Sequence, residues 1–187
     1  LALEKREGEG VKVLTMKREM VAVGGASMGL QADDRRSVRG IVMGGMLASG
    51  NDAANALAYY VGGSPEDVAE MMTARAQEIG MEDSSFVTPS GLDDDAHYTT
   101  AHDMALLPTE ATKNEDFRSI LSTARGTADF QEPEKTVWYT NHNKLLKPHG
   151  GALGVKTGYT GKAGRSPVSA AGRGGVTLIC CTPGAPD

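Results

Sequence analysis

The spacing of apolar and polar positions predicts helices through the middle of the chain. Apolar residues recur at helical intervals over 37–46 and again over 53–61, with a polar break at 49–51 (SGN) between them. Residues 64–67 (SPED) combine a Ser cap, Pro at the first helical position and an acid at the capping-box position, so a third helix starts there. Gly80 is expected to end that helix.

Two further helices follow from cap and breaker residues. Thr99 or Thr100 can cap a helix through Leu107, which Pro108 is expected to kink or stop. Asn114 can cap a shorter one that ends at Leu121. The middle of the chain, 38–122, is therefore predicted to be mainly helical.

Strand-like segments lie on both sides of these helices. Short extended segments are predicted at 11–15 and 20–23, and longer ones at 152–159, 167–171 and 175–181. This order predicts an α+β fold in which 1–187 form a single domain, with a mainly strand part at 123–187.

Composition narrows the class of protein. The 187 residues are 40% hydrophobic and 23% charged, as in folded soluble domains, and no run approaches the length of a membrane span. The 19 basic and 24 acidic residues give a net charge of −5, which provides no basic surface for nucleic acid. The two cysteines, Cys180 and Cys181, are adjacent, so an ordinary disulfide between them would be strained.

Metal and phosphate sites find little support in the sequence. The four histidines, at 97, 102, 142 and 149, do not have the spacing of a zinc-binding helical pair. Residues 154–162 (GVKTGYTGK) resemble a phosphate-binding loop, but Ala163 occupies the position of the magnesium-binding hydroxyl. We therefore expect no metal and no cofactor.

Two short clusters are better candidates for chemistry. Ser49 and Asn51 can converge from a tight turn that Gly50 would permit. The segment 156–158 (KTG) offers a cation, a hydroxyl and an open strand edge, which suit an extended ligand ending in a carboxylate. Taken singly, the first cluster could be only a helix-start turn and the second only the end of a solvent-edge strand.

Taken together, the clusters resemble two of the three signatures of penicillin-binding proteins and serine β-lactamases. The likeness extends along most of the chain, where several segments resemble the low-molecular-mass serine D-Ala-D-Ala carboxypeptidases. These segments are 24–30 (GGASMGL), 46–54 (MLASGNDAA), 86–93 (FVTPSGLD), 97–101 (HYTTA), 141–146 (NHNKLL) and 154–160 (GVKTGYT).

The resemblance implies a β-lactamase/transpeptidase-like fold, in which a helical subdomain packs against an antiparallel sheet. In such enzymes a serine in a Ser-x-x-Lys motif attacks the D-Ala-D-Ala carbonyl, D-Ala leaves, and water hydrolyses the acyl-enzyme. The resemblance gives Ser49 a proton-relaying role and makes Asn51 the amide that orients the substrate backbone and the base. Lys156 and Thr157 would hold the terminal carboxylate.

The remaining roles follow from the same resemblance. Gly158 would leave room for the acyl chain, and the Tyr159 N–H would be one oxyanion donor. We accordingly expect Asn51 and Lys156 to face each other across one groove. The expected ligands are the peptidoglycan pentapeptide stem and, as inhibitors, β-lactams.

One signature does not occur in the sequence, because no Ser in these 187 residues has Lys three residues on. We therefore expect a chain that is incomplete at both ends, lacks its nucleophile and is inactive alone. We also expect exposed apolar surface and poor stability. The parent protein would act outside the cytoplasm after export through an N-terminal signal, and segments outside this chain could attach it peripherally to the membrane. The alternatives are a non-catalytic peptidoglycan-binding module and a β-lactamase.

Overall fold

The computed structural model describes residues 1–6, 11–147 and 150–185, and these have the expected α+β fold. The helices are α1 (Ala2–Arg6), α2 (Arg18–Val21), α3 (Val38–Ala48), α4 (Asn51–Val61), α5 (Pro65–Glu78), α6 (Ala101–Ala111) and α7 (Glu115–Leu121). The strands are β1 (Val13–Thr15), β2 (Arg35–Ser37), β3 (Arg125–Glu132), β4 (Lys135–Thr140), β5 (Ala152–Lys156), β6 (Tyr159–Thr160), β7 (Gly164–Arg165), β8 (Val168–Arg173) and β9 (Val176–Cys181). Within the described ranges, no helix is long and apolar enough to cross a bilayer.

The chain divides into two compact units, and it passes from one to the other within α5, just before β3 and just after β4. The first unit comprises Leu1–Val68 and Arg125–Asn141. Its antiparallel sheet has the order β1-β2-β3-β4, and α3 packs against β3, β4 and α4. Val38, Ile41 and Leu47 of α3 are fully buried. Ile41 lies one turn from Val38, whereas Leu47 lies on the opposite side of the helix, so α3 is buried on more than one face.

The second unit comprises Ala69–Ala124 and His142–Asp187. Its antiparallel sheet has the order β5-β8-β9, and β6 and β7 form a separate hairpin. Helix α6 packs against β9 and α7 against β5. The core at this sheet contains Val155, Val168 and Ala170. Whether 1–187 behave as a single domain stays a prediction.

Helix boundaries follow the local cap residues. The hydroxyl of Ser64 accepts from the Asp67 N–H at 3.1 Å, and α5 begins at Pro65 as predicted. Thr100 caps α6 and Asn114 caps α7, each through its side-chain oxygen. Gly80 lies beyond the end of α5 with φ +89°. These signals could be interpreted locally because each oxygen satisfies an N–H three residues along the chain.

The prediction of an extended segment at 20–23 is wrong, because α2 occupies Arg18–Val21. The Asn55 side-chain amide donates to the carbonyl oxygens of Glu19 and Met20 at 3.1 and 2.8 Å. A side chain from α4 thus satisfies carbonyls that a neighbouring strand would otherwise bind.

Two other boundaries differ from expectation. Helix α6 does not end at Leu107 but continues through the buried Pro108 to Ala111. A proline removes only one backbone donor from a helix. The carbonyl of Pro108 still accepts a hydrogen bond, from the Thr112 hydroxyl at 2.7 Å. The predicted strand at 152–159 is interrupted, since β5 ends at Lys156 and β6 begins at Tyr159.

The outer part of β9 exposes apolar side chains. Val176 is 61% exposed and Leu178 is 73% exposed, and their spacing places them on the same face of the strand. In the described sheet β9 is also an edge strand. Exposed apolar residues on an edge strand favour pairing between chains.

We therefore predict that Leu178→Ser raises the concentration at which the chain self-associates by several-fold, as measured by sedimentation velocity. The matched control is Val11→Ser, because Val11 is 75% exposed outside any strand. Equal effects of the two substitutions would show that exposed apolar area, rather than the β9 edge, drives the association.

Candidate active-site segments

The first candidate cluster lies on the bend between α3 and α4. Ser49 caps the C-terminus of α3 in the left-handed conformation, with φ +57°, and Gly50 has an ordinary φ of −71°. Asn51 is the first residue of α4. The bend is as tight as the sequence predicts, but the left-handed residue is Ser49 and not Gly50. A left-handed non-glycine residue is a local strain that the surrounding structure must hold.

Glycine is required at position 50 for a different reason. A Cβ built there would lie 2.8 Å from the Met28 backbone nitrogen and 2.6 Å from Oδ1 of Asp52. The segment 24–30 therefore approaches the bend too closely for any side chain at this position. Gly50 serves close packing rather than an unusual φ.

The Asn51 side chain is held by the same segment. Its amide nitrogen donates to the Gly24 carbonyl at 2.8 Å, and its backbone N–H donates to the Ala26 carbonyl at 2.8 Å. These bonds fix the orientation of the side-chain amide.

Asp52 joins the bend to segment 24–30 and was not singled out from the sequence. Its side chain is 2% exposed and accepts hydrogen bonds from the Ser27 hydroxyl at 2.6 Å and from the Met28 N–H at 2.9 Å. The N–H groups of Gly29 and Leu30 donate to the same carboxylate at 3.1 and 3.0 Å. The only local signal is an acid in the first turn of α4, a position that also suits ordinary helix stabilisation.

The second candidate cluster lies at the end of β5. The Lys156 ammonium donates to the Thr157 carbonyl, and burial lowers the pKa of Lys156 from its usual 10.5. Gly158 is exposed, and its carbonyl accepts from the Ser166 N–H at 2.9 Å. The second cluster is thus one continuous segment, which runs from the last residue of β5, Lys156, to the first residue of the β6–β7 hairpin, Tyr159.

The hairpin after this segment is tied to the loop that precedes α6. The Thr160 hydroxyl donates to Asp93 at 2.6 Å and accepts from the Ala163 N–H at 3.0 Å. The Lys162 ammonium pairs with Asp95 at 2.6 Å. Segment 86–93, singled out by resemblance, is therefore connected to the hairpin that contains Tyr159.

His97 supports that loop as a hydrogen-bond acceptor. Its Nδ1 accepts from the N–H groups of Val87 and Thr88, both at 3.3 Å, so the ring is neutral with its proton on Nε2. Burial is the main cause that lowers the pKa of His97 from 6.5, and Asp94 and Asp93 oppose it. His97 is therefore a structural acceptor within the described loop. His149 lies outside the described residues.

Each cluster belongs to one unit. Ser49 and Asn51 lie on one bend in the first unit, and residues 156–159 follow one another in the second. That Asn51 and Lys156 face one groove stays a prediction.

We predict that Asp52→Ala lowers the free energy of unfolding by about 3 kcal/mol, because several buried N–H groups lose a charged acceptor. Urea denaturation measures the loss. The matched control is Asp67→Ala, since Asp67 accepts from Ser64 at the exposed start of α5 and should matter by about 1 kcal/mol or less. Similar losses in both variants would contradict the role assigned to Asp52.

We predict that the stability contributed by neutral His97 is complete above pH 6.5 and is lost as the pH falls through the lowered pKa of the folded state. Protonation then charges a half-buried ring and removes its acceptor. His97→Gln should flatten the fall in unfolding free energy between about pH 7 and 5, whereas the exposed control His142→Gln should leave it unchanged. An unaltered pH profile in His97→Gln would contradict this assignment.

Comparison with known proteins gives a consistent result. Residues 7–187 match the family described as D-alanyl-D-alanine carboxypeptidase. The chain is 32% identical to D-alanyl-D-alanine carboxypeptidase DacF of Bacillus subtilis, over 98% of this chain and 47% of that protein. It is 38% identical to D-alanyl-D-alanine carboxypeptidase DacB2 of Mycobacterium tuberculosis, over 81% of this chain and 52% of that protein. The chain thus spans about half the length of these curated relatives.

Solved structures show the same likeness. The crystal structure of the Streptomyces K15 DD-transpeptidase superposes with a TM-score of 0.88 at 29% identity, covering 95% of this chain and 73% of that one. The D-alanyl-D-alanine carboxypeptidase from Mycobacterium tuberculosis gives a TM-score of 0.88 at 29% identity, covering 97% of this chain and 68% of that one. The β-lactamase/transpeptidase-like fold is therefore confirmed, and the chain belongs to the D-alanyl-D-alanine carboxypeptidase family.

Proposed function

We propose that this chain is the substrate-binding part of a serine-type enzyme that removes the terminal D-Ala from peptidoglycan stem peptides. The observation that carries the proposal is the Lys156-Thr157-Gly158 run at the end of β5, in a chain of the D-alanyl-D-alanine carboxypeptidase family. A cation and a hydroxyl next to an exposed glycine suit a peptide that ends in a free carboxylate.

Lys156 and Thr157 bind the terminal carboxylate of the substrate. The Lys156 ammonium already points at a carbonyl oxygen, that of Thr157, and is partly removed from water. A carboxylate would replace that neutral acceptor with a charged one and raise the pKa of Lys156. The positive charge of Lys156 also helps to keep a neighbouring base lysine neutral.

Gly158 and Tyr159 accommodate the acyl part of the substrate. A Cβ at position 158 would lie 3.5 Å from the Ser166 carbonyl oxygen, which is ordinary contact. Because the fold itself tolerates a side chain here, glycine serves the approach of a ligand. The Tyr159 N–H is one oxyanion donor, and its removal would cost roughly 3 kcal/mol of transition-state stabilisation.

Ser49 and Asn51 have the remaining roles in the proposed reaction. Asn51 donates to the Gly24 carbonyl, and its side-chain oxygen accepts an N–H of the substrate backbone. Ser49 relays a proton near the nucleophile. The attacking serine and its lysine are not among these 187 residues, and the acyl-enzyme forms only where a Ser-x-x-Lys segment accompanies this chain.

The substrate class sets the remaining context. Peptidoglycan stem peptides are found outside the cytoplasm, so the protein acts there, and β-lactams inhibit it by imitating the D-Ala-D-Ala terminus. A protein that contains this chain together with Ser-x-x-Lys should be labelled covalently by a fluorescent penicillin. A pure binding module would never be labelled, and rapid β-lactam turnover would indicate a β-lactamase.

The binding step can be tested on the chain itself. We predict that it binds an acylated peptide ending in D-Ala-D-Ala, and that Lys156→Met weakens this binding at least 10-fold, or about 1.4 kcal/mol, by calorimetry. The affinity should also fall as the pH rises past the lowered pKa of Lys156, since only the ammonium binds a carboxylate.

The matched control is Lys162→Met, because Lys162 is an exposed lysine on the adjacent hairpin that pairs with Asp95. It should change the affinity less than about 2-fold, as expected for an exposed pair. The corresponding peptide carboxamide should bind weakly. Equal binding of the acid and the carboxamide would overturn the proposal that Lys156 recognises a carboxylate.

A further inference from the structure

The strand that leads to Lys156 contains a β-bulge. Ala152 pairs with Ala171 and Gly154 pairs with Ala170, so one extra residue, Leu153, is inserted in β5. A shift of one residue exchanges the faces of all later side chains in a strand. The bulge therefore decides on which face Lys156 emerges beside its partner Val168.

The backbone at the bulge is held in an uncommon conformation. Gly154 has φ +77° and Val155 has φ +97°, a value that a β-branched residue rarely adopts. A Cβ at Gly154 would lie 2.3 Å from the Leu121 carbonyl oxygen at the end of α7. Strain of this kind persists only where other interactions hold it in place.

Asn143 supplies such interactions. Its side chain is 4% exposed, and its amide nitrogen donates to the Gly154 carbonyl on β5 at 3.0 Å and to the Ser169 hydroxyl on β8 at 3.4 Å. Its side-chain oxygen accepts from the Leu145 N–H at 3.1 Å and thereby caps the 3-10 turn Lys144–Leu146. One buried amide thus joins this turn to both strands at the point where their register shifts.

We propose that Asn143 is a positioning residue that holds the bulge and thereby sets Lys156 in place to bind the substrate carboxylate. This inference rests on the proposed function. Segment 141–146 is one of the segments that resemble the family, but none of its residues has a role in the proposed binding of substrate. The proposal for Asn143 gives this segment a role. Asn143 acts through the backbone of Gly154 and Val155 and does not itself touch the substrate.

The test uses Asn143→Asp, which keeps the oxygen that caps the turn and removes the N–H that reaches Gly154. The Val155 three-bond HN–Hα coupling in the NMR spectrum is small at φ +97° and large in an extended strand. We expect the variant to show an increased coupling and about 10-fold weaker binding of the acyl-D-Ala-D-Ala peptide. The control is Asn114→Asp, whose oxygen caps α7 in the same unit, and it should change neither measurement.

The two proposals fail in distinguishable ways. A Val155 coupling that stays small in Asn143→Asp overturns the positioning role, even where Lys156→Met still abolishes binding. An unmodified chain that does not bind the peptide overturns the proposed function, while a changed coupling in the variant still supports Asn143 as the residue that holds the bulge. Should Asn143→Asp fail to fold, the unmodified chain decides, because a large Val155 coupling there would mean that no strained bulge exists.

Discussion

The buried carboxylate of Asp52 is the interaction on which the first candidate cluster depends. Four consecutive residues, 27–30, direct a hydroxyl or N–H at it, and without them a charge would be buried at a cost of several kcal/mol. The same bonds hold segment 24–30 against the bend, where that segment fixes the Asn51 amide. One acid therefore determines both the shape of the bend and the orientation of its most specific side chain.

The second candidate cluster is held by backbone features similar to those of the first. In the first unit a left-handed Ser49 starts the bend, and in the second a left-handed Val155 comes immediately before Lys156. Both residues lack the freedom of glycine, and each has a neighbouring glycine that another backbone approaches closely, Gly50 and Gly154. Each cluster is therefore set by a strained residue and an enforced close approach, which fix a side chain more sharply than a regular element would.

The sequence predicted those features that depend on neighbours in the chain. Ser64, Thr100 and Asn114 could be interpreted as helix caps because each satisfies an N–H three residues along the chain. The motif residues could be found because their types and spacing are specific, and the family resemblance that they carry implied the β-lactamase/transpeptidase-like fold.

The features that the sequence did not predict depend on long-range contacts. Two carbonyls of α2 are bound by the distant Asn55 amide. The predicted strand at 152–159 has a bulge at Leu153 against β8 and ends at Lys156. The sequence attributes the tight turn to Gly50, whereas in the structure the positive φ lies at Ser49, and position 50 is glycine because Met28 lies close to it. Asp52 carries no special signal, since an acid in a first helical turn is common.

In the proposed function, the partial burial of Lys156 gives this lysine a means of discriminating between ligands. Burial disfavours the ammonium form of Lys156, as its lowered pKa indicates. The free chain therefore already bears part of the cost of removing this ammonium from water, before any ligand binds. A carboxylate that reaches Lys156 then gains a stronger interaction than it would with an exposed lysine such as Lys162, whose pairing with Asp95 is screened by water. A neutral carboxamide recovers little of that cost. In the proposed function, the same burial that lowers the pKa of Lys156 in the free chain makes it selective for the free acid end of a peptide.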